Sequence, residues 1–327
     1  MNFEDDLRTQ FSSYSLCKID GSYCNSHLYC DFIELLSLIT PADCLVTSND
    51  VLARVYPDIF QDDNAGADFC TEEIGDRTCE NNDRKQQMIE SYFEELSNRS
   101  NLLGELYPFQ IEDCEIQLKS NLSIKQKDYL GLLVCSNLNN FKKLQPYLTS
   151  DFEEFSYCAL KNYLPPQANV KKFGEGSSYS GSARDKIIAL AADMNIEVND
   201  FELNNLSPHN SQEKGLDIVA WLHFYDKIPN MVSILGQCAC GKKWYSKIYE
   251  PKRYVNYFKF YRQSPILALF VPYFLVNQTC FHQSDDIVPD CLIFDRVRIL
   301  TLIGDCDSIA NTRSIVENCI EFNEEIV

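Results

Sequence analysis

In the first half of the chain, apolar residues return at helical spacing. Asp31–Leu38 and Arg84–Leu103 both follow this period, and in the second Met88, Ile89, Tyr92, Phe93 and Leu96 fall on one face. Asp58–Asp83 is rich in Asp, Glu, Asn and Gly and predicts an exposed loop. Tyr107–Leu118 alternates as a strand does. Lys127–Leu138 and Ser150–Tyr163 predict two further helices, and Pro165-Pro166 ends the second because proline restricts the residue before it and lacks an N–H.

The pattern then changes. Gly174-Glu175-Gly176-Ser177-Ser178 reads as a flexible loop. The helix Ser182–Met194 follows, with Ile187, Ile188, Leu190, Ala191 and Met194 on its inner side. Asn199–Gln212 is a polar connection. Leu216–Phe224 and Met231–Cys238 are two short apolar runs joined by a segment of hairpin-turn composition, Tyr225–Asn230. Ile266–Leu275 predicts a buried strand, and Phe294–Ile303 a final strand or pair of helices. The expected organisation is a mainly helical region over 1–165 and a layer of mixed helices and strands over 166–327.

Composition narrows the class. A chain of 327 residues holds one large or two ordinary domains, and 45% apolar with 24% charged residues is a globular balance. Lys+Arg 29 against Asp+Glu 48, net −19, excludes a protein that coats nucleic acid or anionic membrane with its whole surface. A local basic groove remains compatible with that total. Pro265–Val276, the longest apolar run, falls short of the roughly 20 residues a bilayer requires. The acidic Met1–Asp6 has no basic or apolar signal region, so no secretory signal is expected. The 15 cysteines are odd in number and irregularly spaced, which predicts reduced thiols and a cytoplasmic protein. Charge is also uneven. Residues 1–100 carry 7 basic and 20 acidic side chains, whereas 170–263 carry 13 and 10.

The basic segment contains the most informative stretch, Lys214-Gly215-Leu216-Asp217 followed by Leu235-Gly236-Gln237-Cys238-Ala239-Cys240-Gly241-Lys242-Lys243. An acid opens one strand, a polar residue closes its partner, and lysines follow. Metal-dependent phosphodiester hydrolysis uses such a grouping: oxygens hold a hard cation, and an amine orients or deprotonates water. Antiparallel pairing brings residues about twenty positions apart into contact.

Over residues 180–263, this order of helix, Gly-x-Asp strand, turn and apolar strand ending in Gln resembles the PD-(D/E)XK restriction-endonuclease-like superfamily. The Mrr-like branch, with Gln at the second acid position, is the similar one. The resemblance implies a restriction-endonuclease-like α/β domain with a mixed central sheet, hence an α+β chain. It also implies a Mg²⁺- or Mn²⁺-dependent DNA endonuclease, serving as the effector subunit of a bacterial anti-phage defence or restriction system. Asp217 matches the metal-binding Asp and Gln237 the second metal-binding position. Asp185 stands where a helix acid is often found. Where the family has Lys, two residues after Gln237, this chain has Ala239, so Lys242 or Lys243 becomes the candidate amine. With neither in reach, the alternative is a non-catalytic adaptor that binds a protein partner or nucleic acid. The acidic N-terminal region is then expected to serve regulation or assembly, docking a basic partner such as an ATPase.

Lys242–Arg262 is the second signal. Lys247, Lys252, Arg253, Lys259 and Arg262 lie among Trp244, Tyr245, Tyr249, Tyr254, Tyr257, Phe258, Phe260 and Tyr261, a composition suited to phosphates and bases. The same composition describes a surface helix from Pro251 with its aromatics in the core. Weaker signals have structural readings beside functional ones. The Gly174–Gly181 loop lacks a phosphate-binding fingerprint and reads as a lid or linker. Cys238-x-Cys240 has no second pair, only the scattered Cys280, Cys291 and His282. His223 shares strand parity with Asp217 and either lines the site or is satisfied locally. Arg296 and Arg298, flanked by Asp295, contact phosphate or serve the fold.

Overall fold

The computed structural model describes residues 26–41, 43–55, 72–174, 176–206, 215–226, 228, 230–260, 263–275, 290–306 and 308–322. The chain divides into two units. One comprises 1–142, 275–283 and 313–327; the other comprises 143–274 and 284–312.

The first unit holds α1 (Ser26–Ile39), β1 (Val46–Thr47), α2 (Ser48–Val55), α3 (Glu72–Leu103), β2 (Phe109–Glu112), β3 (Glu115–Leu118) and α4 (Ile124–Ser136). The expected loop 58–83 is helical from Glu72 onward; the part before it lies outside the described residues. Glu72, Glu73, Arg77 and Glu80 are good helix formers, and polar composition alone does not separate a helix from a loop. The expected strand Tyr107–Leu118 is a hairpin, broken at Asp113, which sits at φ 49°. β1, β3 and β2 form an antiparallel sheet in that order. The start of α4 is fixed by a capping box in which Ser123 accepts from the Gln126 N–H and the Gln126 side chain accepts from the Ser123 N–H. A charged cluster lies inside this unit: Arg99, 1% exposed, donates to Asp31 and Glu34.

The second unit carries α5 (Gln145–Tyr163), β4 (Asn169–Lys172), α6 (Ala183–Met194), α7 (Asp200–Asn204), β5 (Ile218–Trp221), β6 (Ser233–Cys238), β7 (Ile266–Phe270), β8 (Leu292–Phe294) and α8 (Arg296–Leu302). The helix α9 (Ala310–Glu321) is divided between the units. The sheet order is β4-β5-β6-β7-β8. β4, β5 and β6 run antiparallel; β7 and β8 run parallel to β6. The fold is therefore α+β with a mixed five-stranded sheet.

Strand parity assigns the two faces. Val219 pairs with Leu235, and both enter one core with Ile187, Leu190, Ala191 and Met194 of α6 and with Tyr254 and Phe258. Lys172 and Cys238 are out of phase with these and turn to α5, where Lys172 pairs with Glu154 and Ser156 bonds the Cys238 thiol. The last expected element is β8 followed by α8, with Asp295 capping the helix through the Arg298 N–H. Arg296 is fully buried and donates to the Pro272 carbonyl, and Arg298 donates to the Ile293 carbonyl; both serve the fold. Among the described residues no helix is long and apolar enough to cross a membrane.

Candidate functional site

Asp217 lies just before β5, whose first residue Ile218 pairs with Gly236. Its backbone N–H donates to the Gly236 carbonyl (2.9 Å), and its carboxylate Oδ2 accepts from the Cys238 N–H (2.7 Å). Asp217 thus grips the residues on both sides of Gln237. On the other flank, the Phe173 N–H donates to the Asp217 carbonyl (2.7 Å), so the aspartate is held between β4 and β6. The Asp217 Oδ1 lies 3.0 Å from where a Cβ on Gly174 would stand, so glycine there gives this oxygen room.

Gln237 is 5% exposed. Its Nε2 donates to the Cys238 carbonyl (3.3 Å), while its buried Oε1 has no hydrogen-bond partner. That oxygen and Glu250 Oε2 converge across Gly215. They lie 2.9 and 2.8 Å from the point a Gly215 Cβ would occupy, and Gly215 itself sits at φ +90°. Both the close approach and the backbone conformation require glycine. Lys247 Nζ lies 3.7 Å from the same Glu250 oxygen. Glu250 and Lys247 come from two 3-10 turns after β6, Glu250–Asn256 and Trp244–Lys247.

The remaining candidates go elsewhere. Asp185 is the far half of a capping box on α6: Ser182 N–H and Oγ both donate to its Oδ2. These bonds hold its carboxyl below the usual range. Lys242 and Lys243 are exposed in the turn after β6, and among the described residues no hydrogen bond or ion pair joins either amine to Asp217 or Gln237. Ala239, two residues after Gln237, is buried. Trp244 is buried at 8% exposure, packed edge-on to Tyr245, and presents no open face to a base. Tyr254, Phe258 and Phe260 also belong to the core, leaving Tyr245 and Tyr249 exposed. Lys252 and Arg253 are exposed, Lys259 pairs with Glu197 at 2.9 Å, and Arg262 lies outside the described residues. His223 meets the Asp193 carbonyl of α6 at 3.0 Å, a local contact. Cys238 faces α5; burial pushes its thiol well up, and the Asp217 and Glu153 carboxylates add to the effect. Cys280 and His282 lie outside the described residues.

Asp185 belongs to α6. α6 and α7 are inserted between β4 and β5, and the helix before the sheet is α5, which brings Glu153 within electrostatic reach of Cys238. Its Glu-Glu pair carried no motif signal. Glu250, which borders Gly215 together with Gln237, is the one acid in the basic segment Lys242–Arg262, and no spacing in the sequence links it to position 237. Among the described residues no group of three or more His, Cys, Asp and Glu side chains is placed to hold a metal ion. The oxygens at the site are instead a mixed set, carboxylate and amide. An orphaned buried amide oxygen and a glycine cradle facing a carboxylate fit a hard cation. No family model, no curated protein and no solved structure matches this chain.

Proposed function

We propose that the protein is a divalent-metal-dependent DNA endonuclease whose second unit has a restriction-endonuclease-like fold. The observation that carries this reading is the grip of Asp217 on the two residues flanking Gln237, which sets an aspartate and a glutamine with a buried amide oxygen at the same end of the paired strands β5 and β6. Asp217 and Gln237 would hold Mg²⁺ or Mn²⁺. Such an ion would supply Lewis acidity at the phosphoryl group and would lower the pKa of a water bound to it. Asp217 is oriented by the Cys238 N–H, so its charge is fixed in direction before substrate arrives. The exposed cations Lys242, Lys243, Lys252 and Arg253 meet the DNA backbone. The acidic residues 1–100 repel DNA and suit a basic protein partner, an ATPase in a bacterial defence system.

The test is nicking of supercoiled plasmid with Mg²⁺ or Mn²⁺, comparing wild type with Asp217→Asn. The variant keeps an oxygen for the Cys238 N–H but loses the charge, so nicking falls to background while the melting curve is retained. Nicking by wild type that survives in Asp217→Asn refutes the assignment. A second reading, the non-catalytic adaptor, is favoured by one observation: Ala239 occupies the amine position and is buried. It predicts DNA or partner binding with no nicking under any metal or partner condition.

A further inference from the structure

We infer that Glu250 is the second acidic ligand of this site, and that Gln237 Oε1 and the Glu250 carboxylate form a binding position for a divalent cation of the Mg²⁺/Mn²⁺ class. The cation's use in phosphodiester cleavage rests on the reading above; its binding does not. Gln237 Oε1, buried and unpartnered, and Glu250 Oε2, on a half-buried side chain, both border Gly215, 2.9 and 2.8 Å from where its Cβ would stand. A buried amide oxygen without a partner is unfavourable, and a cation would supply the partner that Gln237 Oε1 lacks.

Turning the Gln237 amide over does not relieve the arrangement. It would bring Nε2 to Glu250 but set Oε1 against the Cys238 carbonyl, to which Nε2 now donates. One orientation satisfies the strand and leaves an oxygen for a cation; the other satisfies Glu250 and leaves two carbonyl oxygens opposed. Gly215, at φ +90°, keeps the gap free of a Cβ that would stand 2.5 Å from Glu250 Cβ. Lys247 Nζ, 3.7 Å from Glu250 Oε2, is a positive charge already drawn to the same place. Its side chain is 43% exposed, so it can withdraw to solvent when a doubly charged ion enters. The resulting ligand set combines a strand-end amide with an acid from the following 3-10 turn. This explains how a site can hold a cation without an acid at position 237.

The experiment is calorimetric titration of Mn²⁺ into the full chain, alongside Glu250→Gln and Lys247→Gln, with melting curves as the control for folding. Glu250→Gln weakens Mn²⁺ at least about tenfold, and Lys247→Gln tightens it by removing a competing charge. Unchanged Mn²⁺ affinity in folded Glu250→Gln overturns the inference and makes Glu250 only the ion-pair partner of Lys247. No saturable Mn²⁺ binding by wild type in the millimolar range also overturns it. The two proposals fail separately. Glu250-dependent Mn²⁺ binding without plasmid nicking removes the nuclease and keeps the site. Asp217-dependent nicking with Glu250-independent binding does the reverse.

Discussion

Replacing Arg99 with Met is the sharpest test of what holds the first unit together. Its guanidinium lies 2.7 Å from Asp31 Oδ1 and 3.0 Å from Glu34 Oε1, and it also donates to the His27 carbonyl at 3.2 Å. Burial opposes the Arg99 charge, but Glu34 and Asp31 outweigh it and hold its pKa well above the ordinary value. Met fills similar volume without charge. It strands two carboxylates that are 1% and 0% exposed at residue level. Breaking a buried pair in this way costs about 3–5 kcal/mol. The Tyr107 and Tyr129 hydroxyls, each 2.8 Å from Glu34 Oε1, and the Ser136 hydroxyl, 2.8 Å from Asp31 Oδ2, remain as partners and keep the loss within that range. At about 2–4 °C per kcal/mol, melting of this unit falls by roughly 10 °C. Urea unfolding followed by circular dichroism, with calorimetry, measures both. A triple variant that adds Asp31→Asn and Glu34→Gln recovers part of the loss, because no charge is then stranded. A single-variant loss below about 1 kcal/mol, the size expected of an exposed pair, would refute the reasoning. So would a triple variant no more stable than the single.

Two further outcomes separate packing from function in the second unit. Trp244→Ala lowers stability by about 3–5 kcal/mol, as deletion of a buried aromatic does. Tyr249→Ala, at a side chain 57% exposed, leaves melting nearly unchanged and weakens single-stranded DNA binding in fluorescence anisotropy; the opposite pattern would restore Trp244 as the stacking residue. Asp185 makes stability depend on acid pH. Its carboxyl is lowered by the Ser182 hydroxyl and N–H, so its contribution is full above about pH 4 and is lost as the pH falls through the lowered folded value. In a pH series of melting curves, the gap between wild type and Asp185→Ala therefore closes on acidification; a gap that widens would contradict the capping role.

The pair Asp217 and Gln237 was legible in sequence because two short apolar runs with a turn between them can join only as neighbours, and antiparallel pairing then fixes which ends meet. Asp185, where the resemblance sets a helix acid, caps its own helix. Ser182-x-x-Asp185 before an apolar run is a helix-start signature, and its local hydrogen bonds compete with any distant use of the acid. The aromatic-basic segment was ambiguous, because stacking surfaces and core faces draw on the same side chains. The structure divides the segment: Tyr254 in a 3-10 turn and Phe258 and Phe260 beyond it pack inward, while Tyr245 and Tyr249 stay exposed.

By itself, the sequence determined the periodicities, the caps, the turn glycines and the opposition of one aspartate to one glutamine, all of them set by interactions between near neighbours or adjacent strands. Tertiary structure alone decided that α5 rather than α6 precedes the sheet and faces Cys238, that Trp244 is core, and that Glu250 and Lys247 approach Gln237 across Gly215. Those placements depend on how a segment of irregular turns packs back onto a sheet. No repeat of 3.6 or two residues encodes that path, because it is chosen by the total apolar area it buries and by which backbone can pass a position without a Cβ.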